Sequence, residues 1–234
     1  MEEKLARELL EKTKKDYDLI IEDFSRANYN LWPELFSIFN DYTKNEDKIL
    51  DVGCGIGRLL EIIGHKDIEY LGIDSSAGQL QEAKRRHPDR SFSLANATRL
   101  PSLDDSFDKV FLVSVLHHIP GKELQRRVVG EAVRVLKPGG LLFLSVWRPR
   151  FFVLVKSVLK HSFLKLIRRS KLDWLDVMIP WGRKTKRYYH LFRLKELQRL
   201  IRNSGLEIVK SGVAKSEKGR RLNLYLIARK VPIA

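Results

Sequence analysis

Five short apolar runs alternate with segments of helical periodicity through the middle of the chain. The runs are KILDVGCG, IEYLGID, FSLANA, KVFLVSVL and GGLLFLSVW, which begin at residues 48, 68, 92, 109 and 139. Three segments between them, 57–64, 76–87 and 122–137, carry apolar residues at the spacing of an α-helix. Nearly continuous apolar strands separated by helices are typical of a parallel sheet, because its strands are buried on both faces. The pattern therefore predicts an α/β fold, with helices on both faces of a mostly parallel sheet.

The two ends of the chain follow other patterns. Residues 3–16 are rich in charge and in helix formers, and residues 17–40 mix aromatic with polar groups, which predicts one or two further helices. Residues 193–204 predict a helix that ends at a glycine. The segments 206–214 and 222–230 are joined by a polar stretch. We expect them to form an antiparallel hairpin that closes the sheet.

The segment after Trp147 breaks the alternation. Residues 151–169 place apolar groups on one side of a helical wheel and lysines and arginines on the other, which predicts an amphipathic helix with a basic face. The expected parts are an N-terminal helical lid over 1–45, an α/β core over 46–147, a basic insertion over 148–190, and a C-terminal helix and hairpin over 191–234.

Charge is the most unusual property of the composition. The 234 residues carry 44 Lys and Arg against 29 Asp and Glu, a net charge of +15, and +10 of this lies between Arg148 and Arg187. Such clustering indicates a polyanionic partner, although a solvated surface that favours solubility is the alternative. One cysteine excludes a disulfide scaffold. With a charged N-terminal segment and no apolar run long enough to span a bilayer, we expect a cytoplasmic protein without stable membrane insertion.

A glycine-rich loop follows the first predicted strand. It reads Asp51-Val-Gly-Cys-Gly-Ile-Gly57, at the edge where an open parallel sheet places its ligands. Asp74 ends the second strand, where it would accept hydrogen bonds from ribose hydroxyls. A dinucleotide fingerprint counted from Gly53 requires glycine at position 58, which is Arg58 here, and no phosphate-binding loop of the Walker type occurs. A ligand with a pyrophosphate is therefore disfavoured.

These motifs resemble the S-adenosylmethionine-dependent methyltransferases with a Rossmann-like core, whose first motif reads [DE]-x-G-x-G-x-G. GIDSS at 72–76, ANATRLP at 95–101 and RVLKPGGLL at 134–142 match further motifs of that family in order. The resemblance implies a seven-stranded sheet and S-adenosyl-L-methionine as cofactor. It implies as cofactor-binding residues Asp51, Gly53, Cys54, Gly55, Gly57, Asp74, Ser75, Asn96, Ala97 and Ser114. Asn96 departs from the usual Asp, but its oxygen would still accept from the adenine amine.

Two flanking segments resemble a narrower group, the methyltransferases that esterify 5-carboxymethyluridine at the tRNA wobble position. Residues 17–33 resemble that group's N-terminal motif, and residues 176–192 match its D-V-x-V-P-W…R-Y-Y-H-x-F motif almost residue for residue. Ala27-Asn28 replaces the group's Thr-Arg. The resemblance implies tRNA, at its anticodon loop, as a partner, and it raises the question of a small zinc-binding activator subunit at the exposed edge of the sheet.

The chemistry of a carboxylate acceptor sets simple requirements. A carboxylate is already ionised at neutral pH, so catalysis needs positioning and a dry pocket rather than a general base. The candidate catalytic residues are His117, Arg187 and Tyr188. The candidate substrate-binding residues are Trp181, Tyr189, His190, Lys156 and Lys160. For His117 and His190, a structural hydrogen bond is the alternative to a functional role, and Cys54 is interpreted as a small buried residue rather than a nucleophile.

Other functions remain open from the sequence. A methyltransferase for a small or lipid-like acid would use the basic helix on an anionic membrane surface. A catalytically inactive RNA-binding protein of the same fold would explain the departures at Ala27-Asn28 and Asn96. No spacing of His, Cys, Asp and Glu predicts a metal site.

Overall fold

The computed structural model describes residues 1–22, 33–148, 171–181, 184–215 and 222–232. The predicted basic helix over 151–169, with Lys156 and Lys160, and the departure at Ala27-Asn28 lie outside these residues.

Seven strands form the main sheet, as the sequence predicts. In chain order they are β1 (Lys48–Val52), β2 (Glu69–Asp74), β3 (Ser91–Leu94), β4 (Phe107–Val113), β5 (Leu136–Arg148), β8 (Leu206–Lys215) and β9 (Leu222–Lys230). Their spatial order is β3-β2-β1-β4-β5-β9-β8. The pairs from β3 to β5 are parallel, and β9 pairs antiparallel with both β5 and β8. The mostly parallel sheet with a closing antiparallel hairpin is therefore confirmed.

Helices pack on both faces of this sheet. The described helices are α1 (Glu3–Leu19), α2 (Pro33–Tyr42), α3 (Leu60–Ile63), α4 (Ala77–Arg86), α5 (Lys122–Val135) and α6 (Leu194–Arg202), with a 3₁₀ turn at Leu116–His118. Apolar side chains of α5 and α6 contribute to a buried cluster on one face, and those of α2, α3 and α4 to a cluster on the other.

The continuous apolar runs are explained by burial on both faces. Successive residues of a strand point to opposite sides, so Phe111 joins the cluster with α2 while Leu112 joins the cluster with α5. Phe111 stacks on Phe143 of the neighbouring strand, with ring centroids 4.3 Å apart. Polar residues at either position would lose their hydration, which is why these strands lack alternation.

A second, two-stranded sheet was not predicted from the sequence. β6 (Asp176–Trp181) and β7 (Thr185–His190) pair antiparallel, from Asp176 opposite His190 to Trp181 opposite Thr185. Val177, Ile179 and Tyr189 pack together with Trp147 at the end of β5. The described part of the basic insertion is thus a β-hairpin attached to the core.

His190 anchors this hairpin to the rest of the chain. Its Nδ1 lies 2.7 Å from Asp176 Oδ1, and its Nε2 lies 3.1 Å from Glu196 Oε1 in α6. Burial disfavours the charged ring, but the hydrogen bonds to Asp176 and Glu196 outweigh it and raise the pKa of His190 to about 9. Both ring nitrogens are occupied by carboxylates, so neither is left for the substrate contact that the sequence analysis proposed.

Stability should depend on the protonation of His190. Its folded pKa, about 9, exceeds the ordinary value of 6.5, so its stabilisation is complete below pH 6.5 and is lost as pH rises through about 9. His190→Gln should remove this pH-dependent part, on the order of 2 kcal/mol of the free energy of unfolding. Urea unfolding of both proteins between about pH 7 and pH 10 measures it. Parallel stability curves for the two proteins would contradict the assignment.

Candidate functional site

A cleft opens at the carboxyl ends of the parallel strands, at the point where the strand order reverses between β1 and β4. This is where open α/β sheets bind ligands. Its walls come from the loops after β1, β2, β3 and β4, and α1 covers it with Leu10, Thr13 and Tyr17. Of the ten predicted cofactor residues, all except Gly57 line this cleft.

The glycine loop has a shape that other residues do not adopt easily. Gly53, Gly55 and Gly57 have φ angles of 71°, 55° and 80°. A Cβ atom on Gly53 would lie 2.5 Å from Val115 Cγ2, and one on Gly57 would lie 2.8 Å from His87 Cδ2. The loop therefore passes close to its neighbours and exposes its backbone to the cleft.

Asp74 holds the loop after β2 against the glycine loop. Its Oδ2 accepts a hydrogen bond of 2.9 Å from Gly55 N, and its Oδ1 accepts one of 2.9 Å from Ser76 N. Burial raises the pKa of this carboxyl, and the backbone hydrogen bonds oppose the rise. The backbone N–H groups of Gly55, Ser75 and Ser76 all favour this carboxylate, which has about four acceptor positions, so Asp74 is left able to accept from a ligand hydroxyl.

Asp51 is a second carboxyl of the cleft, at the end of β1. It is 2% exposed, and its Oδ2 accepts a 2.8 Å hydrogen bond from the Tyr70 hydroxyl. Burial raises its pKa to about 7; the Tyr70 hydrogen bond opposes this and nearby Asp74 adds to it. A cationic ligand group would favour the ionised form of Asp51.

Asn96 presents a different group to the cleft than the sequence analysis expected. Its Oδ1 accepts hydrogen bonds of 2.9 Å from both Thr98 N and Thr98 Oγ1. An amide oxygen has two lone pairs, so both are occupied. The side-chain nitrogen of Asn96 is then the group arranged to meet a ligand, as a donor.

Gln79 is a site residue that the sequence analysis missed. It lies in α4, is 1% exposed and lines the cleft, and neither Oε1 nor Nε2 has a hydrogen-bond partner within the described residues. Buried amides without partners are costly unless a ligand satisfies them. Its position in the first turns of the helix after Asp74 is the signal that could have found it. Together with the bare loop and the two carboxyls, it fits a nucleoside ligand that carries a cationic group.

Tyr17 and His118 form the wall of the cleft beside the hairpin. Tyr17 Oη lies 2.8 Å from His118 Nε2, and His118 Nδ1 lies 3.0 Å from the Tyr188 carbonyl oxygen. Burial, with the positive charge of Arg187, lowers the pKa of His118 to about 3, so the ring is neutral. The sequence predicts His117 at this wall, but His118 is the histidine that lines the cleft.

His117 and Tyr189 lie behind this wall. The His117 ring stacks on Tyr189, with centroids 5.2 Å apart, and its Nδ1 accepts a hydrogen bond of 3.4 Å from Trp147 N. Tyr188 and Tyr189 are 1% and 4% exposed, so neither presents a free face to a nucleobase. Among the predicted aromatic residues of the hairpin, Trp181 alone is partly exposed.

Arg187 of the hairpin contacts this wall. Its Nη1 donates a 3.1 Å hydrogen bond to Tyr17 Oη, and its Cζ lies 3.9 Å from the centroid of the Trp181 ring. Arg187 thus connects the hairpin to α1 and, through Tyr17, to the cleft.

Three further observations concern metal ligands, membrane-spanning helices and the thiol of Cys54. The described residues contain no group of three His, Cys, Asp or Glu that could hold a metal ion. No helix within the described ranges is long and apolar enough to cross a membrane. Cys54 is buried, and burial raises the pKa of its thiol well above the ordinary value, which disfavours a nucleophilic role.

Comparison with known proteins gives matches along most of the chain. The model of a methyltransferase domain family matches residues 50–144. A protein of Encephalitozoon cuniculi named as a methyltransferase is 31% identical over 198 residues, covering 84% of this chain and 87% of its own length.

Two other relatives have named acceptors. The yeast tRNA (carboxymethyluridine(34)-5-O)-methyltransferase is 29% identical over 71% of this chain and 55% of its own length. The demethylmenaquinone methyltransferase of Symbiobacterium thermophilum is also 29% identical, over 87% of this chain and 85% of its own length.

Solved structures agree with the sequence comparison. A SAM-dependent methyltransferase from Methanosarcina mazei superposes with a TM-score of 0.73 and 26% identity, covering 87% of this chain and 99% of that one. The cleft lies where the strand order reverses, and its residues fit a nucleoside that carries a cationic group, as S-adenosylmethionine does. The chain therefore belongs to the S-adenosylmethionine-dependent methyltransferases.

Proposed function

We propose that the protein methylates the carboxylate of 5-carboxymethyluridine at the wobble position of tRNA. The main support is the position of the β6–β7 hairpin beside the cofactor cleft. The β6–β7 hairpin, whose sequence resembles the wobble-uridine enzymes, packs against α1 and against the Leu116–His118 turn. Both elements contribute residues to the wall of the cofactor cleft. An acceptor held by the hairpin would therefore reach the cofactor directly.

Bound S-adenosylmethionine supplies an electrophilic methyl group: the acceptor's carboxylate oxygen bonds to the methyl carbon as the carbon–sulfur bond breaks, which leaves a methyl ester and a neutral thioether. No proton moves in this exchange, and the wall residues fit that requirement. His118 Nε2 already accepts from Tyr17, and burial raises the pKa of Tyr17, so neither group is arranged as a base. Both opposite charges disappear in the reaction, which a site with little water favours.

Four polar side chains of the cleft would hold the cofactor. Asp74 would accept from the ribose hydroxyls, and the Asn96 nitrogen would donate to the adenine ring. Asp51 would face the positively charged groups at the methionine end of the cofactor. The side-chain amide of Gln79, which has no partner within the described residues, would form hydrogen bonds with the ligand. The glycine loop admits the ligand because no Cβ atom occupies its surface.

The positive charge of the insertion fits a tRNA partner. Lys184 and Lys186 are exposed on the hairpin, and the predicted basic helix, with Lys156 and Lys160, is part of the same segment. We propose that this insertion binds backbone phosphates while the cleft receives the wobble base. The zinc-binding activator stays a prediction; the sheet edge β3, with the largely exposed Leu94, is where it would dock.

A second candidate function is methylation of a lipid-like acceptor. It is favoured by the demethylmenaquinone methyltransferase, whose similarity extends over 87% of this chain. The same basic insertion would then lie on an anionic membrane surface.

Transfer to RNA and transfer to lipid are separated by one labelling experiment. Purified protein with methyl-labelled S-adenosylmethionine should label tRNA that carries 5-carboxymethyluridine, and not the same tRNA with unmodified uridine. Mild alkali should release the label as methanol, because the product is an ester. Mass spectrometry of the nucleosides identifies the product. Label in a lipid extract and none in either tRNA would replace the proposal with the second candidate.

The glycine loop provides a matched pair of substitutions. Gly53→Ala places a Cβ 2.5 Å from Val115, at a φ of 71°, whereas a Cβ added to Gly130 in α5 would meet no atom within 4 Å. Calorimetry should show S-adenosylhomocysteine affinity reduced by about tenfold or more in Gly53→Ala. Gly130→Ala should keep the affinity and unfold at a slightly higher temperature. Equal affinities in the two variants would contradict the assigned loop.

Cofactor affinity should fall in mild acid because of Asp51. Its pKa of about 7 means that half of the free protein carries a protonated Asp51 at that pH, and the ammonium group at the amino-acid end of the ligand favours the carboxylate. S-adenosylhomocysteine should bind about tenfold more weakly near pH 6 than near pH 8. Asp51→Asn should bind weakly with little pH dependence, while Glu207→Gln, an exposed acid on β8, should follow the wild type. A pH-dependent Asp51→Asn protein would argue against this role.

A further inference from the structure

Arg187 is a buried cation without an anionic partner in the described residues. It is 6% exposed, and the one hydrogen bond that its guanidinium makes within the described residues goes to a tyrosine hydroxyl rather than to a carboxylate. Its neighbours are aromatic rings: the centroids of Trp181, Tyr189 and Tyr17 lie 3.9, 5.3 and 5.5 Å from Cζ. A buried charge without a counter-ion is unfavourable, so an anion from outside the chain would stabilise it.

The hydrogen bonds of Arg187 show which edge of its guanidinium lacks a partner in the described residues. The described residues accept one hydrogen bond from its guanidinium, at Nη1, where Tyr17 Oη lies 3.1 Å away. Nε is buried and donates to no atom of the described residues. The edge formed by Nε and Nη2 carries two parallel N–H groups. This edge matches the two oxygens of a carboxylate.

Tyr17 and His118 fix the orientation of this guanidinium. A carbonyl oxygen only accepts, so the contact with the Tyr188 carbonyl places a hydrogen on His118 Nδ1 and leaves Nε2 as an acceptor. The Tyr17 hydroxyl must then donate to Nε2, and its oxygen accepts from Arg187 Nη1. With Trp181 against its face, Arg187 is restrained both in tilt and in rotation.

We propose that Trp181 and Arg187 form a preorganised carboxylate receptor, and that Tyr17 and His118 are its positioning residues. The identity of the natural occupant, the carboxylate of the acceptor, rests on the proposed function. Methylation converts this anion into a neutral ester, to which the cation is no longer attracted. The contact that captures the acceptor therefore also favours release of the product.

The receptor is tested directly on its Nε–H group by NMR. In the protein saturated with S-adenosylhomocysteine, the Arg187 Nε–H resonance should move to lower field with acetate and stay in place with acetamide, at constant ionic strength. Arg187→Lys identifies the resonance by removing it, and Lys186→Gln, an exposed cation one residue away, should keep both the resonance and its response. Equal responses to acetate and acetamide, or no response to either, would overturn the receptor.

The positioning residues are tested by the same titration. Tyr17→Phe removes the acceptor for Nη1 and should weaken acetate binding by about fivefold. Circular dichroism checks that this variant is folded. Acetate binding as in the wild type would show that Tyr17 does not position Arg187. His118→Gln replaces the ring nitrogen that accepts from Tyr17 with a shorter acceptor, so it should weaken acetate binding less than Tyr17→Phe does. A larger loss would show that His118 does not act on Arg187 through Tyr17.

Steady-state kinetics with RNA distinguish the carboxylate receptor from the proposed methylation reaction. With anticodon stem–loop RNA that carries 5-carboxymethyluridine, Arg187→Lys should raise the KM by about tenfold or more, with a smaller change in kcat. Lys186→Gln should raise the KM only slightly and lose that difference at high salt. An unchanged KM in Arg187→Lys would overturn the receptor. If the wild type methylates no such RNA, the proposed function fails, and the acetate titration still decides the receptor.

Discussion

Three consecutive residues of α1, Asp16, Tyr17 and Asp18, hydrogen-bond to three different parts of the molecule. We call these residues and their partners the seam, and the geometry of the site depends on it. Asp16 accepts hydrogen bonds from Lys12 and from Thr185 of β7. Tyr17 bridges His118 and Arg187. Asp18 accepts a hydrogen bond from the Ser76 hydroxyl, at the start of α4. Apolar packing tolerates rotation of a helix, whereas directional hydrogen bonds fix it, so this seam determines how α1 covers the cleft.

The seam would allow the fold to bind the proposed anionic acceptor beside the cationic cofactor. The cofactor side has the carboxyls of Asp51 and Asp74, which suit a cationic nucleoside. The hairpin side has Arg187, which suits an anionic acceptor. Tyr17 lies between the two sides: it accepts a hydrogen bond from Arg187, and it lines the cofactor cleft that contains Asp51 and Asp74. Binding free energy on either side can therefore be used to align the reacting groups.

The sheet and the glycine loop could be predicted because their signals are local. A strand buried on both faces appears in the sequence as a short apolar run. A loop whose backbone approaches a ligand appears as a cluster of glycines. The Tyr17–His118–Arg187 chain could not be found this way, since its members are 101 and 170 residues apart along the sequence. The choice between His117 and His118 depends on the direction of neighbouring side chains in a 3₁₀ turn, which periodicity does not resolve. The β6–β7 hairpin was missed because its motif was interpreted as a binding signature and its two short strands lie within a basic segment.

In this structure α1 joins the cofactor cleft to the hairpin as one site. This coupling is measurable by hydrogen exchange with mass spectrometry, with and without S-adenosylhomocysteine. Because α1 lines the cleft and binds β7, the ligand should slow exchange in α1 and in the amides of Thr185–His190, beyond the loops that touch it. Protection confined to the glycine loop and the start of α4, with β7 unchanged, would contradict the account.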